Sequence, residues 1–248
     1  MIWEACGGGK VVAPLSGALW RLVENQEQVA TLGYVDSLEE QAVLEELLET
    51  AKPPLPPGTE RLHYLLKSPF RYPPLPWGSR FGRVHEPGIF YGGLEVETTL
   101  AEAAYYRFVF WYSMERPAGA VLRSEHTLFG ARYATNRGVR LQSPPCDARV
   151  DEIAHPADYR QTQLLGTAMR QAGVEAFEYP SARHRPEGRC AGLFSPGALA
   201  SEAPEAMSGW LCEVREKEVV YKRLEASAVS VFFLEDYLYE GRLPRPAA

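Results

Sequence analysis

Alternating and helix-spaced apolar positions divide the chain into short elements. Ala18-Leu19-Trp20-Arg21-Leu22-Val23 reads as a strand, apolar except for one arginine. Ser37 with Glu40 three residues on is a capping box, and Leu44, Leu47, Leu48 and Ala51 then fall on one helical face. That helix must end before Lys52-Pro53-Pro54-Leu55-Pro56-Pro57-Gly58, because proline offers no N–H to continue it. A loop-rich stretch from Pro69 to Arg80 leads to a short strand at Gly88-Ile89-Phe90-Tyr91. Thr98 or Thr99 is expected to cap the next helix, which turns Leu100, Ala104, Phe108 and Trp111 to a core. Asp158 opens a further helix with Leu164, Leu165, Ala168 and Met169 as its apolar positions and Gly173 just past its end. Strands are expected at Val174–Tyr179, Ala191–Phe194, Trp210–Val214 and Val219–Tyr221. Helices interrupt these strands irregularly, so the pattern predicts an α+β domain and not a doubly wound sheet.

Composition narrows the function classes. With 46% apolar residues in 248, the chain can bury a sizeable core, as one domain. A net charge of −6 argues against a direct nucleic-acid binder, which would present a basic face, and suits a basic protein partner. No apolar run approaches bilayer length, and Met1-Ile2-Trp3-Glu4-Ala5 lacks the marks of a secretory signal. The scattered Cys6, Cys146, Cys190 and Cys212 read as reduced thiols, so a cytoplasmic location is expected. The five histidines never fall at metal-ligand spacing, and no metal is expected. Gly7-Gly8-Gly9-Lys10 lacks phosphate-loop spacing and reads as a flexible N-terminus. Neither a G-x-G-x-x-G turn nor a G-x-S-x-G elbow is present.

Several polar residues stand where packing does not ask for them. Arg21 interrupts an apolar strand, and Arg80 lies between Gly78 and Gly82, where backbone can approach a ligand closely. Tyr91 ends a strand, and Glu102 sits among small residues in Leu100-Ala101-Glu102-Ala103-Ala104. Ser181 follows Phe177-Glu178-Tyr179-Pro180. The aromatics Tyr105, Tyr106, Phe108, Phe110 and Trp111 read as core and partner surface.

Trp20-Arg21, the run from Pro69-Phe70-Arg71-Tyr72 to Gly78-Ser79-Arg80-Phe81, Ile89-Phe90-Tyr91 and Thr98-Thr99-Leu100-Ala101-Glu102 together resemble the RES domain. This family is named for its arginine, glutamate and serine, and it forms the toxin half of RES–Xre toxin–antitoxin modules. Tyr179-Pro180-Ser181-Ala182-Arg183 resembles its late serine segment, and the N-terminal part resembles its long subtype. The resemblance implies one RES domain over residues 1–248, with 1–60 as an N-terminal extension carrying the first strand and a helix. It implies an ADP-ribosyltransferase-like fold, with β-sheets flanking an NAD-binding cleft and helices around them. The implied activity is cleavage of NAD⁺, as substrate and not as cofactor, to nicotinamide and ADP-ribose. Transfer of ADP-ribose to a protein or metabolite, or a non-catalytic partner-binding module, are the alternatives. The implied partner is an Xre-type helix-turn-helix antitoxin, and a homo-oligomer is left open.

The residue chemistry suits that implication. Breaking the nicotinamide–ribose bond releases a neutral leaving group from a cation and leaves an oxocarbenium-like ribose, which a fixed carboxylate at Glu102 would stabilise. Arg21 and Arg80 are expected to grip pyrophosphate oxygens in pairs, with Arg71 and Arg83 as competitors for the Arg80 role. Tyr91 offers a flat face and a hydroxyl, and Ser181 either bonds the ribose or steadies Glu102.

Overall fold

In chain order the elements are helix α1 (Ile2–Ala5), strand β1 (Ala13–Glu24), helices α2 (Leu38–Ala51) and α3 (Tyr64–Arg71), strand β2 (Phe90–Gly93), helix α4 (Val96–Ser113), strand β3 (Leu122–Arg140), helices α5 (Val150–Ile153) and α6 (Arg160–Gln171), and strands β4 (Ala176–Pro180), β5 (Arg189–Leu193), β6 (Ala206–Val214), β7 (Glu218–Arg223) and β8 (Val229–Phe233). The computed structural model describes residues 1–25, 34–116, 119–184 and 188–245. This is an α+β fold, with one eight-stranded sheet and helices around it.

The sheet order is β1-β2-β5-β4-β3-β6-β7-β8, and β1 also pairs with β3. The first five strands therefore close into a ring, and β6, β7 and β8 leave it as an open limb. Strand β3 belongs to both. Antiparallel to β1, it runs from His126 opposite Glu24 to Gly138 opposite Ala13. Along its other edge, Leu122–Gly130 pairs with β6 and Gly138–Arg140 lies parallel to β4. Three apolar clusters fill the molecule. One packs α1 and α6 against β4, and a second packs Leu65, Leu66 and Phe70 of α3 against the inward-facing residues of the ring strands. The third packs Leu100, Ala104, Phe108 and Trp111 of α4 against Trp210, Cys212 and Tyr221 of the limb.

Several local expectations change. The N-terminus is packed: Ile2, Trp3 and Cys6 are core residues, and Gly7 and Gly8 use positive φ to turn the chain into a 3₁₀ turn. Helix α4 starts before either threonine, with Glu95 at the cap and no side-chain cap bond. Thr99 lies inside the first turn, its hydroxyl 2.9 Å from the Glu95 carbonyl and 3.1 Å from that of Trp20. The Ser37 cap forms as expected, with Glu40 N–H donating to its Oγ at 3.2 Å and the Glu40 carboxylate accepting from Asp36 N–H. Yet α2 leaves Leu47 and Leu48 exposed and buries Gln41 instead. The loop-rich stretch begins late, because α3 continues through Pro69 to Arg71. The longest strand, β3, and the edge strand β8 complete a sheet that the apolar pattern marks only in part. All four cysteines are buried and free. Among the described residues no helix is long and apolar enough to cross a membrane.

Candidate active site

Helix α4 meets the ring where β2 hands the chain over to it. A Cβ at Gly93 would come within 2.5 Å of the Thr99 hydroxyl, so the first turn of α4 rests directly on β2. The helix buries one face against the limb and turns Thr99, Glu102, Ala103 and Tyr106 to the ring, at the spacing that keeps side chains on one helical stripe. These four help to line a cavity of about 310 Å³ that also touches Arg21, Arg80, Tyr91 and Cys190.

Glu102 is half-buried, and one of its oxygens is held firmly. Ser181, at the end of β4, is almost completely buried and donates its hydroxyl to Glu102 Oε1 at 2.6 Å. The Ser181 Oγ also accepts backbone N–H bonds from Arg183 at 3.1 Å and His184 at 3.0 Å. With its lone pairs so engaged, the serine proton can go only to the carboxylate. Cys190 Sγ lies 3.8 Å from the same oxygen, and burial pushes its thiol well above the usual range, so it stays a neutral donor. Among the described residues, nothing hydrogen-bonds Glu102 Oε2. The serine turn is pinned to α4 by the contact of Thr98 Oγ1 with His184 Nδ1 at 2.9 Å.

The structure places Arg21, Arg80, Tyr91 and Glu102 on one cavity and Ser181 directly behind Glu102. Ser181 stands behind Glu102 and does not line the cavity, so of its two anticipated tasks the geometry offers steadying the carboxylate. Arg80 lines the cavity, but its fork is occupied. Its Nη1 donates to the carbonyls of Ile153 at 3.3 Å and His155 at 2.9 Å, and its Nη2 to the Tyr159 hydroxyl at 3.4 Å. The guanidinium also stacks 4.4 Å over the Tyr159 ring. A paired grip on pyrophosphate through Nη1 is therefore not on offer, and Arg80 acts as a fixed buried cation. Of its two competitors, Arg71 is tied to Glu49 and the Pro53 carbonyl, and neither Arg71 nor Arg83 lines this cavity.

Arg21 is the freer arginine. Its Nη1 donates to the Tyr91 carbonyl at 2.8 Å, while its buried Nε has no partner. The Tyr91 hydroxyl accepts from Phe81 N–H at 3.1 Å and lies 3.0 Å from Ser79 Oγ. Burial pushes this phenol up to about 12, so it remains protonated at neutral pH.

Other residues of the site were not anticipated. Tyr159 receives both Arg80 and, at 3.1 Å, Arg183 Nη2, and Arg183 stacks 3.5 Å over Tyr105. Tyr159 immediately precedes α6, where only helix initiation is legible in the sequence. Tyr106 could have been found, since it lies four residues after Glu102 on the same stripe. It is half exposed at the cavity mouth and is not core. Arg21, Ser79, Tyr91, Tyr106 and Tyr159 also line a second, outer cleft of about 880 Å³, which therefore adjoins the first.

A family model described as RES domain matches residues 56–214, well over half of the chain. Among solved structures, the chain is similar to one titled "Crystal structure of the M.tuberculosis MbcT-MbcA toxin-antitoxin complex". The likeness covers 83% of this chain and 90% of that one at 12% identity, with a TM-score of 0.47. A search of curated proteins finds no match.

Proposed function

The chain belongs to the RES domain family, and from that premise and the geometry around Glu102 we propose that it cleaves NAD⁺ to nicotinamide and ADP-ribose. One observation carries the reading. A carboxylate faces a small cavity with one oxygen fixed by Ser181 and, among the described residues, no hydrogen bond on the other.

In the proposed reaction the C1′–N bond breaks and its electron pair stays on nicotinamide, which departs neutral. Positive charge then develops on the ribose, and the fixed Glu102 carboxylate at the cavity wall stabilises it. The free Oε2 is placed to hold a ribose hydroxyl or to orient an attacking water. That water bonds to C1′ and gives up a proton, completing ADP-ribose. Tyr91, held in place by Ser79 and Phe81 and kept a phenol by burial, offers its ring face to the nicotinamide. Arg21, which lines both the cavity and the neighbouring cleft, offers its guanidinium charge to the diphosphate. Arg80 contributes charge from a fixed position.

By the same family likeness we assign the protein as the toxin of a type II toxin–antitoxin module in the bacterial cytoplasm, with an Xre-type helix-turn-helix protein as antitoxin and no nucleic acid bound directly. The whole chain then acts as one RES domain, and β1 belongs to its catalytic ring although it precedes residue 60.

The test is nicotinamide release from NAD⁺ by purified wild type and Glu102→Gln. Removing the charge is expected to slow release about a hundred- to a thousandfold, the range for deleting one transition-state electrostatic partner. Equal rates would refute the mechanism. NAD⁺ labelled in its adenylate separates hydrolysis from transfer, since transfer puts label on a macromolecule or metabolite and hydrolysis leaves it in free ADP-ribose.

A further inference from the structure

We infer that the outer cleft binds the adenosine-5′-phosphate half of a dinucleotide, with Lys67 pairing with its phosphate, so that the protein selects two-headed nucleotides over mononucleotides. This rests on the NAD⁺ reading above and assigns a role to a space that reading leaves empty. The wall of the cleft is the polar face of α3. Leu65, Leu66 and Phe70 bury the opposite face in the ring core, which leaves Tyr64, Lys67, Ser68 and Arg71 on one stripe towards the cleft.

Charge and shape both point to a nucleotide. Four cationic side chains line the cleft, Arg21, Lys52, Lys67 and Arg71, against two carboxylates, Glu24 and Glu49. Such a surplus stands out in a chain of net charge −6 and favours an anion. Glu49 is shared by Lys52 and Arg71, and Glu24 is taken by Arg107 from outside the cleft. Lys67, by contrast, makes no ion pair among the described residues, although it sits one turn from the like-charged Arg71. Arg71 has Glu49 to balance its charge, which leaves Lys67 as the cation of this stripe without a paired carboxylate among the described residues. Tyr64, Tyr72 and Trp77, all substantially exposed, supply flat apolar faces to the same cleft, as a purine requires. The cleft adjoins the inner cavity at Arg21, Tyr91 and Tyr106, which places it where the rest of a molecule with its nicotinamide riboside beside Glu102 would extend.

The far wall comes from the segment that ends α2, and Arg71 rivets it in place. Arg71 bonds Glu49 at 2.6 Å and the Pro53 carbonyl at 2.6 Å, tying this N-terminal segment to α3. The segment thereby becomes part of the nucleotide site.

The experiment compares kcat/KM for NAD⁺ and for nicotinamide mononucleotide, which lacks the adenylate half, in wild type, Lys67→Glu and Lys67→Arg. Lys67→Glu is expected to lower the NAD⁺ value about ten- to a hundredfold, the range for losing a charged hydrogen bond, and the mononucleotide value much less. The preference for NAD⁺ therefore shrinks, whereas Lys67→Arg keeps it. An unchanged preference in Lys67→Glu, with both proteins folded by circular dichroism, would overturn the inference. If wild type cleaves neither compound, the NAD⁺ reading fails by itself, and calorimetry with AMP then decides the cleft. AMP binding that Lys67→Glu abolishes supports the site, and absence of AMP binding to wild type overturns it.

Discussion

The closed ring and the open limb each shelter an ionisable side chain, half-buried against the ring and almost fully buried beside the limb, and they treat it differently. In the ring, the Glu102 carboxylate meets a serine proton whose direction is set by two backbone N–H groups, with the buried cation Arg80 lining the same cavity. Where β3 meets the limb, the imidazole of His126 is almost fully buried, 2.9 Å from the Ser124 hydroxyl, against the edge of the Tyr221 ring and within reach of the Val23 backbone, Glu24 and Arg107. Burial, with Arg107 nearby, holds this histidine down to about 4, so it is neutral when folded. The limb's charged pairs, such as Arg123 with Glu213, lie outside where such pairs stabilise little. A site that must present charge to a ligand needs partners fixed by backbone. A wall that only supports α4 needs apolar packing and a group that can shed its charge.

The largest expected effect contrasts the tightness of the two regions. Gly166 on α6 lies so close to the loop holding Arg80 that a Cβ would come within 1.8 Å of the Phe81 carbonyl oxygen. Backbone cannot rotate away as a side chain can. Gly209 in the limb would meet only Leu224 Cδ1, at 2.7 Å, the tip of an exposed and flexible side chain. Gly166→Ala should cost about 3 kcal/mol or more, and Gly209→Ala within about 0.5 kcal/mol of nothing. Thermal unfolding of both variants measures the difference, expected as roughly 6–12 °C for Gly166→Ala in a domain of this size. Equal losses would mean that the packing of α6 on the Arg80 loop beside the ring is no tighter than the limb.

The same contrast explains what was legible in the sequence. Single strong residues against apolar surroundings marked Arg21, Tyr91 and Glu102, and the structure brings them to one cavity. Strand β3 escaped notice because its outward positions carry Arg123, Glu125, Arg132, Arg137 and Arg140, so charge interrupts the apolar run that would announce a strand. The occupation of Arg80 was equally hidden. Its partners are the carbonyls of Ile153 and His155, more than seventy residues away, and a carbonyl has no side-chain signature. Helix α2 misled in the other direction, since its apolar stripe is real but faces outward among the described residues. Periodicity says which residues share a face and leaves open what that face meets.

A smaller effect tests the neutral imidazole. Unfolded, His126 would titrate near its ordinary value of about 6.5, whereas folded it titrates near about 4. Between those values the unfolded chain binds the proton that the folded chain refuses. Its contribution to stability is therefore complete above about pH 6.5 and is lost as the pH falls towards 4, by up to about 3 kcal/mol. Urea unfolding of wild type and His126→Gln from pH 7 to pH 4 isolates this contribution, because the variant's stability should fall less steeply by that amount. Parallel curves would show that the limb does not hold its histidine neutral.

The smallest effect concerns how the ring holds Glu102. Ser181→Ala removes one hydrogen bond to a carboxylate, worth about 1.5–3 kcal/mol, and leaves the N–H groups of Arg183 and His184 without their acceptor. If Ser181 positions the carboxylate and does not touch substrate, the loss should fall on kcat, about tenfold or somewhat more, with KM for NAD⁺ nearly unchanged. Ser181→Thr, which keeps the hydroxyl, should recover part of that rate despite crowding a site with almost no free space. A rise in KM at constant kcat would instead place the serine on the ribose. The ring would then bind its ligand through the same side chain that fixes its charge, and the distinction between a fixed carboxylate and an open binding surface would have to move outward to Arg21.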